Sequence, residues 1–397
     1  EARDFLASFE EEAVSAFRVN PLKEAPVSFP DAIPQTPWGH YGKISGKSPE
    51  HATGLVYSQE PAAQMVAQVA QPSPGMKVLD LAAAPGGKST QLAAYLANQG
   101  LLVSNEISSK RAKILVENME RFGATNVVVT NESAERLAKV FKGYFDLIVL
   151  DAPCSGEGMF RKQADAMDYW SLDYPSQCAS LQREILEDAV TMLAEGGRLV
   201  YSTCTWAPEE NEEIVNWLLE EYDFDLLPVE HINGMLAGID LPETARMYPH
   251  HFKGEGQFVA HLQFEGENPA PKYKASKSNL SREQVALWQE FAKKHLKVNL
   301  RGILQTFGDQ LYLLPELLPD LGKLKIARNG LHLGTFKKKR FEPSFALGLA
   351  LKPSQVKQSV EIDQEEFVKY AAGETVQLAE SLPNGWYQVL VQGNGLG

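Results

Sequence analysis

The chain has 397 residues, 44% hydrophobic and 22% charged, with a formal net charge of −13. That length predicts about two to four domains, and the composition is ordinary for a globular protein. No apolar stretch approaches the ~20 residues of a membrane span, and three cysteines are too few for a disulfide framework, so a cytoplasmic protein with reduced thiols and no membrane partner is expected. The start, Glu1-Ala2-Arg3-Asp4, carries neither an initiator Met nor a charged-then-apolar leader. Residues 2–17 have helical spacing (Phe5, Leu6, Phe9, Ala13, Phe17) and predict a helix that stops before Pro21. Residues 24–54, rich in Pro, Gly and His, predict irregular or short-strand structure.

From about residue 58 the alternation becomes regular. Helices are predicted over 59–70, 88–98, 109–121, 177–194 and 208–221, and strands over 76–82, 101–105, 126–130, 145–151 and 197–203. This order argues for βαβ units around a parallel sheet, with 257–264 as a last, antiparallel strand. Residues 266–280 read as a linker, and 281–297 as a helix opened by Ser281 with Gln284 three residues on. Short strands and turns follow, with a helix over 365–372. Between Asn268 and Lys352, sixteen Lys and Arg stand against six Asp and Glu, so the acidic total conceals a basic segment. Lys337-Lys338-Lys339-Arg340 lies within it and suits phosphate groups. By itself such a run reads more simply as a solvated loop.

The chemistry gathers at strand ends, which line the ligand crevice of an open α/β sheet. Ala82–Lys88 (Ala-Ala-Ala-Pro-Gly-Gly-Lys) forms a glycine-bearing strand-to-helix turn, which lets a ligand approach the backbone and a helix N-terminus. It is neither a dinucleotide fingerprint nor a P-loop. Glu106 closes the next strand, where an acid can receive both hydroxyls of a ribose. Asp151 ends the apolar run Leu147–Leu150, a setting expected to desolvate it and favour the neutral acid. Cys154 follows it after Pro153, and Cys204 ends the strand through Thr203. One buried cysteine is usually a small hydrophobe. Two at strand ends of one sheet, beside a nucleotide-like turn, point to covalent catalysis, and two thiols with a carboxyl group suffice to methylate carbon 5 of a pyrimidine. Cys178, in a helical segment, reads as packing.

These segments resemble the Sun-type family of RNA cytosine-5 methyltransferases, and within it the RsmF-like branch. The stretches that carry the likeness are DLAAAPGGKSTQ (80–91), NE (105–106), LDAPCSGEGMFRK (150–162) and VYSTCTWAPEENE (200–212). FRVNPLK (17–23), HATGLVYSQEPAA (51–63) and GLHLGTFKKKRFEPSFALGLAL (330–351) extend it over nearly the whole chain. The resemblance implies an α/β fold: a Rossmann-like methyltransferase domain with a mostly parallel seven-stranded sheet (58–266). It also implies an N-terminal substrate-binding extension (1–57), a small first C-terminal α+β domain (280–334) and a PUA-like RNA-binding barrel (335–397). S-adenosylmethionine would be the cofactor, held by Ala82, Ala83, Ala84, Pro85, Gly86, Gly87, Lys88, Glu106 and Asp151, with Arg111 bracing the crevice. Cys204 would attack carbon 6 of cytosine, Asp151 would bind and activate the base, and Cys154 would assist release. Arg161 and Lys162 would hold phosphates. Where the family places an adenine-binding Asp, this chain has Ser133, with Glu132 beside it as a substitute.

The resulting expectation is a monomeric enzyme that methylates ribosomal RNA, most simply of the small subunit. Two other readings compete. An RNA-binding assembly factor with a vestigial methyltransferase fold would fit the departure at Ser133. A DNA cytosine methyltransferase would use the thiol after proline, Cys154, as its nucleophile.

Overall fold

The computed structural model describes residues 1–24, 27–378 and 381–397. It opens with α1 (Ala2–Ala7), so the helix expected over 2–17 ends early. Phe5 and Phe9 set their rings edge-on to Trp206, at 5.0 and 6.2 Å. The chain then extends into β1 (Ala16–Val19), which pairs antiparallel with β2 (Gly39–Tyr41) and, past α2 (Pro49–Ala52), with β3 (Val56–Ser58). Phe9 and Phe17, a helical interval apart in sequence, thus anchor different surfaces, and tertiary packing overrides the periodicity.

The central unit runs α3 (Pro61–Ala70), β4 (Lys77–Asp80), α4 (Gly87–Leu96), β5 (Leu101–Asn105), α5 (Ser109–Phe122), β6 (Val127–Thr130), α6 (Ala134–Ala138) and β7 (Phe145–Asp151). It continues with α7 (Tyr174–Met192), β8 (Leu193–Thr203), α8 (Glu212–Glu221), β9 (Phe224–Leu227), β10 (Leu236–Gly238), β11 (Leu241–Met247) and β12 (Gln257–Phe264). Strands β8, β7, β4, β5 and β6 lie side by side and parallel, and β12 closes on β8 antiparallel, as its sequence suggested. Val78, Leu79, Val103, Val128, Ile148 and Val149 are all fully buried, because helices cover both faces of the sheet.

Beyond the linker come α9 (Arg282–His295), β13 (Ile303–Phe307), β14 (Gln310–Leu314), β15 (Ile326–Asn329), β16 (Leu331–Lys337), β17 (Arg340–Pro343) and α10 (Phe345–Ala350). The predicted Ser281–Gln284 capping box opens α9. Strands β13, β14, β16 and β17 form a separate antiparallel sheet. β15 instead joins the central sheet, antiparallel to β6, and helps extend the expected seven strands to ten. The division expected at 334/335 falls inside β16: Leu331, Leu333, Phe336 and Phe341 share one core with Trp288 and Phe291, so no boundary can lie there. Lys337–Arg340 is the exposed hairpin turn from β16 to β17. The described residues after it form β18 (Ser359–Glu361), α11 (Gln364–Ala371), β19 (Gln388–Val391) and β20 (Asn394–Gly395), with the three strands in one sheet. No helix among the described residues is long and apolar enough to cross a membrane.

Candidate active site

The carboxyl ends of β4 to β8 open into one cavity of about 290 Å³. Cys154 and Cys204 line it toward β8, and Glu106, Arg111, Glu132 and Ser133 line it toward β5 and β6, with Asp151 between. Ala82 and Ala84 face it directly. Ala83, Pro85, Gly86 and Gly87 shape the turn behind them, where Gly86 adopts φ +123°, a conformation that favours glycine. Arg111 ties this turn to the next strand: its guanidinium donates to the Ala84 carbonyl at 2.7 Å and lies 3.4 Å from the buried Glu106 carboxylate. Of the candidates named from sequence, Ala82, Ala84, Glu106, Arg111, Ser133, Asp151, Cys154 and Cys204 line this cavity, while Ala83, Pro85, Gly86, Gly87 and Lys88 do not.

The two thiols are 3.3 Å apart, Sγ to Sγ. Their loops are locked together. Ser155 Oγ lies 2.9 Å from Thr205 Oγ1, and the Gly158 amide donates to the Cys204 carbonyl at 2.9 Å. A Cβ on Gly158 would sit 2.7 Å from Gly256 Cα and 2.8 Å from that carbonyl oxygen, so only glycine permits the approach. Contact with Cys204, then burial, pushes the Cys154 thiol well above its usual range. Either sulfur can be the donor in this contact. Cys178 is buried in α7, as read.

Asp151 departs from expectation. It is partly exposed, and both its oxygens accept: Oδ2 from Lys88 Nζ at 2.6 Å, Oδ1 from Ser202 Oγ at 2.7 Å and Gln257 Nε2 at 3.1 Å. Three donors, one of them an ammonium, suit a carboxylate rather than the neutral acid. Burial opposes the charge on Lys88, but Asp151 more than offsets it and the ammonium is held above its usual range. Beneath this pair, Asp80 is fully buried with Ser89 Oγ donating to it at 2.7 Å, and burial pushes its carboxyl up to about 7.

Two further expectations change. Arg161 is not free for phosphate: it is buried against Glu255 at 2.9 Å and also donates to the Ser8 and Gly254 carbonyls. Glu132 is not a free acceptor either, since Arg136 Nε at 3.0 Å and the Lys325 amide at 2.8 Å occupy its two oxygens. Ser133 caps α6, accepting the Arg136 amide. Sequence reasoning missed Gln182 and Glu210. Gln182 Nε2 donates to the Pro153 carbonyl at 2.9 Å and to Glu210 at 2.7 Å, and Glu210 receives the Ser155 amide at 3.1 Å. Together they clamp the Cys154 loop. The acidic run Glu209-Glu210-Asn211-Glu212 directly after the Cys204 strand was the available signal.

Residues 67–263 match the family model for 16S rRNA methyltransferase RsmB/F. Residues 1–61 match the N-terminal domain of 16S rRNA methyltransferase RsmF, 290–351 the RsmF first C-terminal domain and 357–397 the RsmF PUA domain. Ribosomal RNA small subunit methyltransferase F of Shewanella loihica is 34% identical over 371 residues, covering 89% of this chain and 76% of that protein. Its counterpart in Aeromonas salmonicida is 32% identical, covering 99% and 89%. Among solved structures, a methyltransferase homolog from Pyrococcus horikoshii aligns with TM-score 0.58 and 31% identity over 66% of this chain and 90% of its own. NSun6 from the same organism, solved with SFG, aligns with TM-score 0.53 and 30% identity over 58% of each chain.

Proposed function

The chain belongs to the RsmB/F family of 16S rRNA methyltransferases, and from that premise we propose that it methylates carbon 5 of cytosine in small-subunit ribosomal RNA through a covalent bond to Cys204. The observation that carries this reading is the pair of thiols 3.3 Å apart at the end of a cavity whose middle is an ion-paired carboxylate.

S-adenosylmethionine is the cofactor of the family and supplies an electrophilic methyl group when bound. The cavity suits it: the Ala82–Lys88 turn offers backbone to the methionine and ribose side, the buried Glu106 offers a carboxylate to the ribose, and Glu132 and Ser133 wall the adenine end. Arg111 keeps turn and carboxylate in register.

The target base has to leave its stack to reach this depth. A carboxylate has about four acceptor sites, and Asp151 has three filled, so one remains for the exocyclic amine of cytosine. Cys204 Sγ, its proton lost to solvent, would add to carbon 6 as the thiolate, which makes carbon 5 nucleophilic toward the methyl group, and the donor would leave as the neutral thioether S-adenosylhomocysteine. Afterwards the carbon 5 proton leaves and the C6–Sγ bond breaks. Cys154 is placed to pass its proton to the departing Cys204 sulfur and take the carbon 5 proton in exchange, so both thiols end protonated and the base regains its double bond.

The roles separate in two variants. Cys204→Ala should retain cofactor binding and lose methylation completely. Cys154→Ala should form the adduct but release it slowly, leaving a protein–RNA band that survives denaturing electrophoresis. An adduct formed by Cys204→Ala instead would assign the nucleophile to Cys154 and contradict the scheme. The basic hairpin turn Lys337–Arg340, exposed on the C-terminal unit, is proposed as a phosphate contact for the same RNA.

A further inference from the structure

The cofactor cavity ends at a wall that the catalytic unit does not hold alone. Residues 130–133, the last residue of β6 and the three after it, are fixed on one side by the end of β5. The Asn105 side chain accepts from Thr130 Oγ1 at 2.7 Å and from the Glu132 amide at 3.1 Å, and Asn131 Nδ2 donates to the Glu106 carbonyl at 2.7 Å. On the other side they are fixed by the C-terminal unit, where Ile326 pairs with Thr130 and Lys325 holds the residues beyond it. The Asn131 amide donates to the Lys325 carbonyl at 2.9 Å, while the Lys325 amide donates to Glu132 Oε1 at 2.8 Å. Glu132 has a side chain only 4% exposed, and its remaining partner is the half-exposed Arg136. Without the Lys325 amide, a buried carboxylate oxygen would lose its donor, a costly vacancy in a low-dielectric setting.

The contact is not incidental to the fold. Lys325 leads directly into β15, whose pairing Ile326↔Thr130, Arg328↔Val129 and Asn329↔Val128 continues the clamp along β6. Arg328 is buried and donates to the Ala124 carbonyl at 2.8 Å. Leu314 and Leu318 of the C-terminal unit lie in the same core as Val128 and Leu137. The C-terminal unit thus reaches the catalytic sheet at the edge that bears the far end of the cavity.

We propose that the main chain of Lys325 is a positioning element of the cofactor site, setting the Glu132–Ser133 wall against which the adenosine end of S-adenosylmethionine rests. The C-terminal unit then has two duties, one toward RNA and one toward the cofactor. This rests on the cofactor reading given above.

Calorimetric titration of the full chain with S-adenosylmethionine and with 5′-methylthioadenosine, which keeps only the adenosine end, separates the possibilities. Lys325→Ala keeps the amide and should bind both at wild-type affinity. Lys325→Pro removes the donor and should weaken both by the same factor, about tenfold to a hundredfold, as the loss of one buried hydrogen bond to a charged group. Circular dichroism checks folding, and if Lys325→Pro does not fold, Glu132→Ala removes the same tie from the other side. A folded Lys325→Pro, or Glu132→Ala in its place, with undiminished affinity would overturn the proposal. So would a loss in Lys325→Ala, which would assign the effect to the side chain, or a loss confined to S-adenosylmethionine. A wild-type chain that binds neither compound would instead reject the cofactor reading itself.

Discussion

Asp80 illustrates how burial at one residue carries a consequence that the rest of the site does not cancel. Its carboxyl sits beneath the Lys88–Asp151 pair at about 7, against an ordinary value of 3.8. Between about pH 4 and pH 7 the folded chain therefore keeps a proton that the unfolded chain has released, and stability falls as pH rises through that window. Asp80→Asn removes the titration. Relative to this variant, the wild type should lose melting temperature between pH 5 and pH 8, whereas two curves that stay parallel would contradict the assignment. Other residues of the site were legible for a simple reason: Cys154, Cys204, Asp151 and Glu106 end strands, and strand ends converge. The protonation pattern was not. An apolar run before Asp151 signals desolvation, but Lys88, Ser202 and Gln257 come from three other segments, and no local spacing foretells that they point at one carboxylate.

At the scale of elements, the loop after Cys154 shows how a basic residue beside a catalytic strand can serve the fold instead of the substrate. Arg161 has a side chain only 3% exposed and is locked on Glu255, itself 1% exposed, so the pair stitches this loop to the segment before β12. Removing one member of a buried pair strands the other charge. Arg161→Ala should therefore cost about 3–5 kcal/mol in urea unfolding, with the salt dependence of RNA binding unchanged. A small stability change with a shallower salt slope would return Arg161 to the phosphate contacts. The same lesson applies to β1. Phe17 and Arg18 are both buried, so its strand pattern is not alternating, and the helical spacing upstream masked it. The central strands were readable because Val, Leu and Ile runs of parallel-sheet length are hard to place elsewhere.

Across the whole molecule, the C-terminal unit is less separate than its linker and change of composition suggested. β15 leaves its neighbours β14 and β16 to pair with β6, a contact between residues nearly two hundred positions apart that no periodicity in 299–334 encodes. The catalytic cavity, the thiol pair and the basic hairpin at 337–340 thereby belong to units joined through one sheet. What that assembly does to RNA is the central claim, and one measurement reaches it most directly. Unmethylated small-subunit ribosomal RNA, incubated with the full chain and methyl-labelled S-adenosylmethionine, is digested to nucleosides and separated. The account predicts label in 5-methylcytidine, and none when Cys204→Ala replaces the wild type. Label in any other nucleoside, or incorporation that persists in Cys204→Ala, would contradict it.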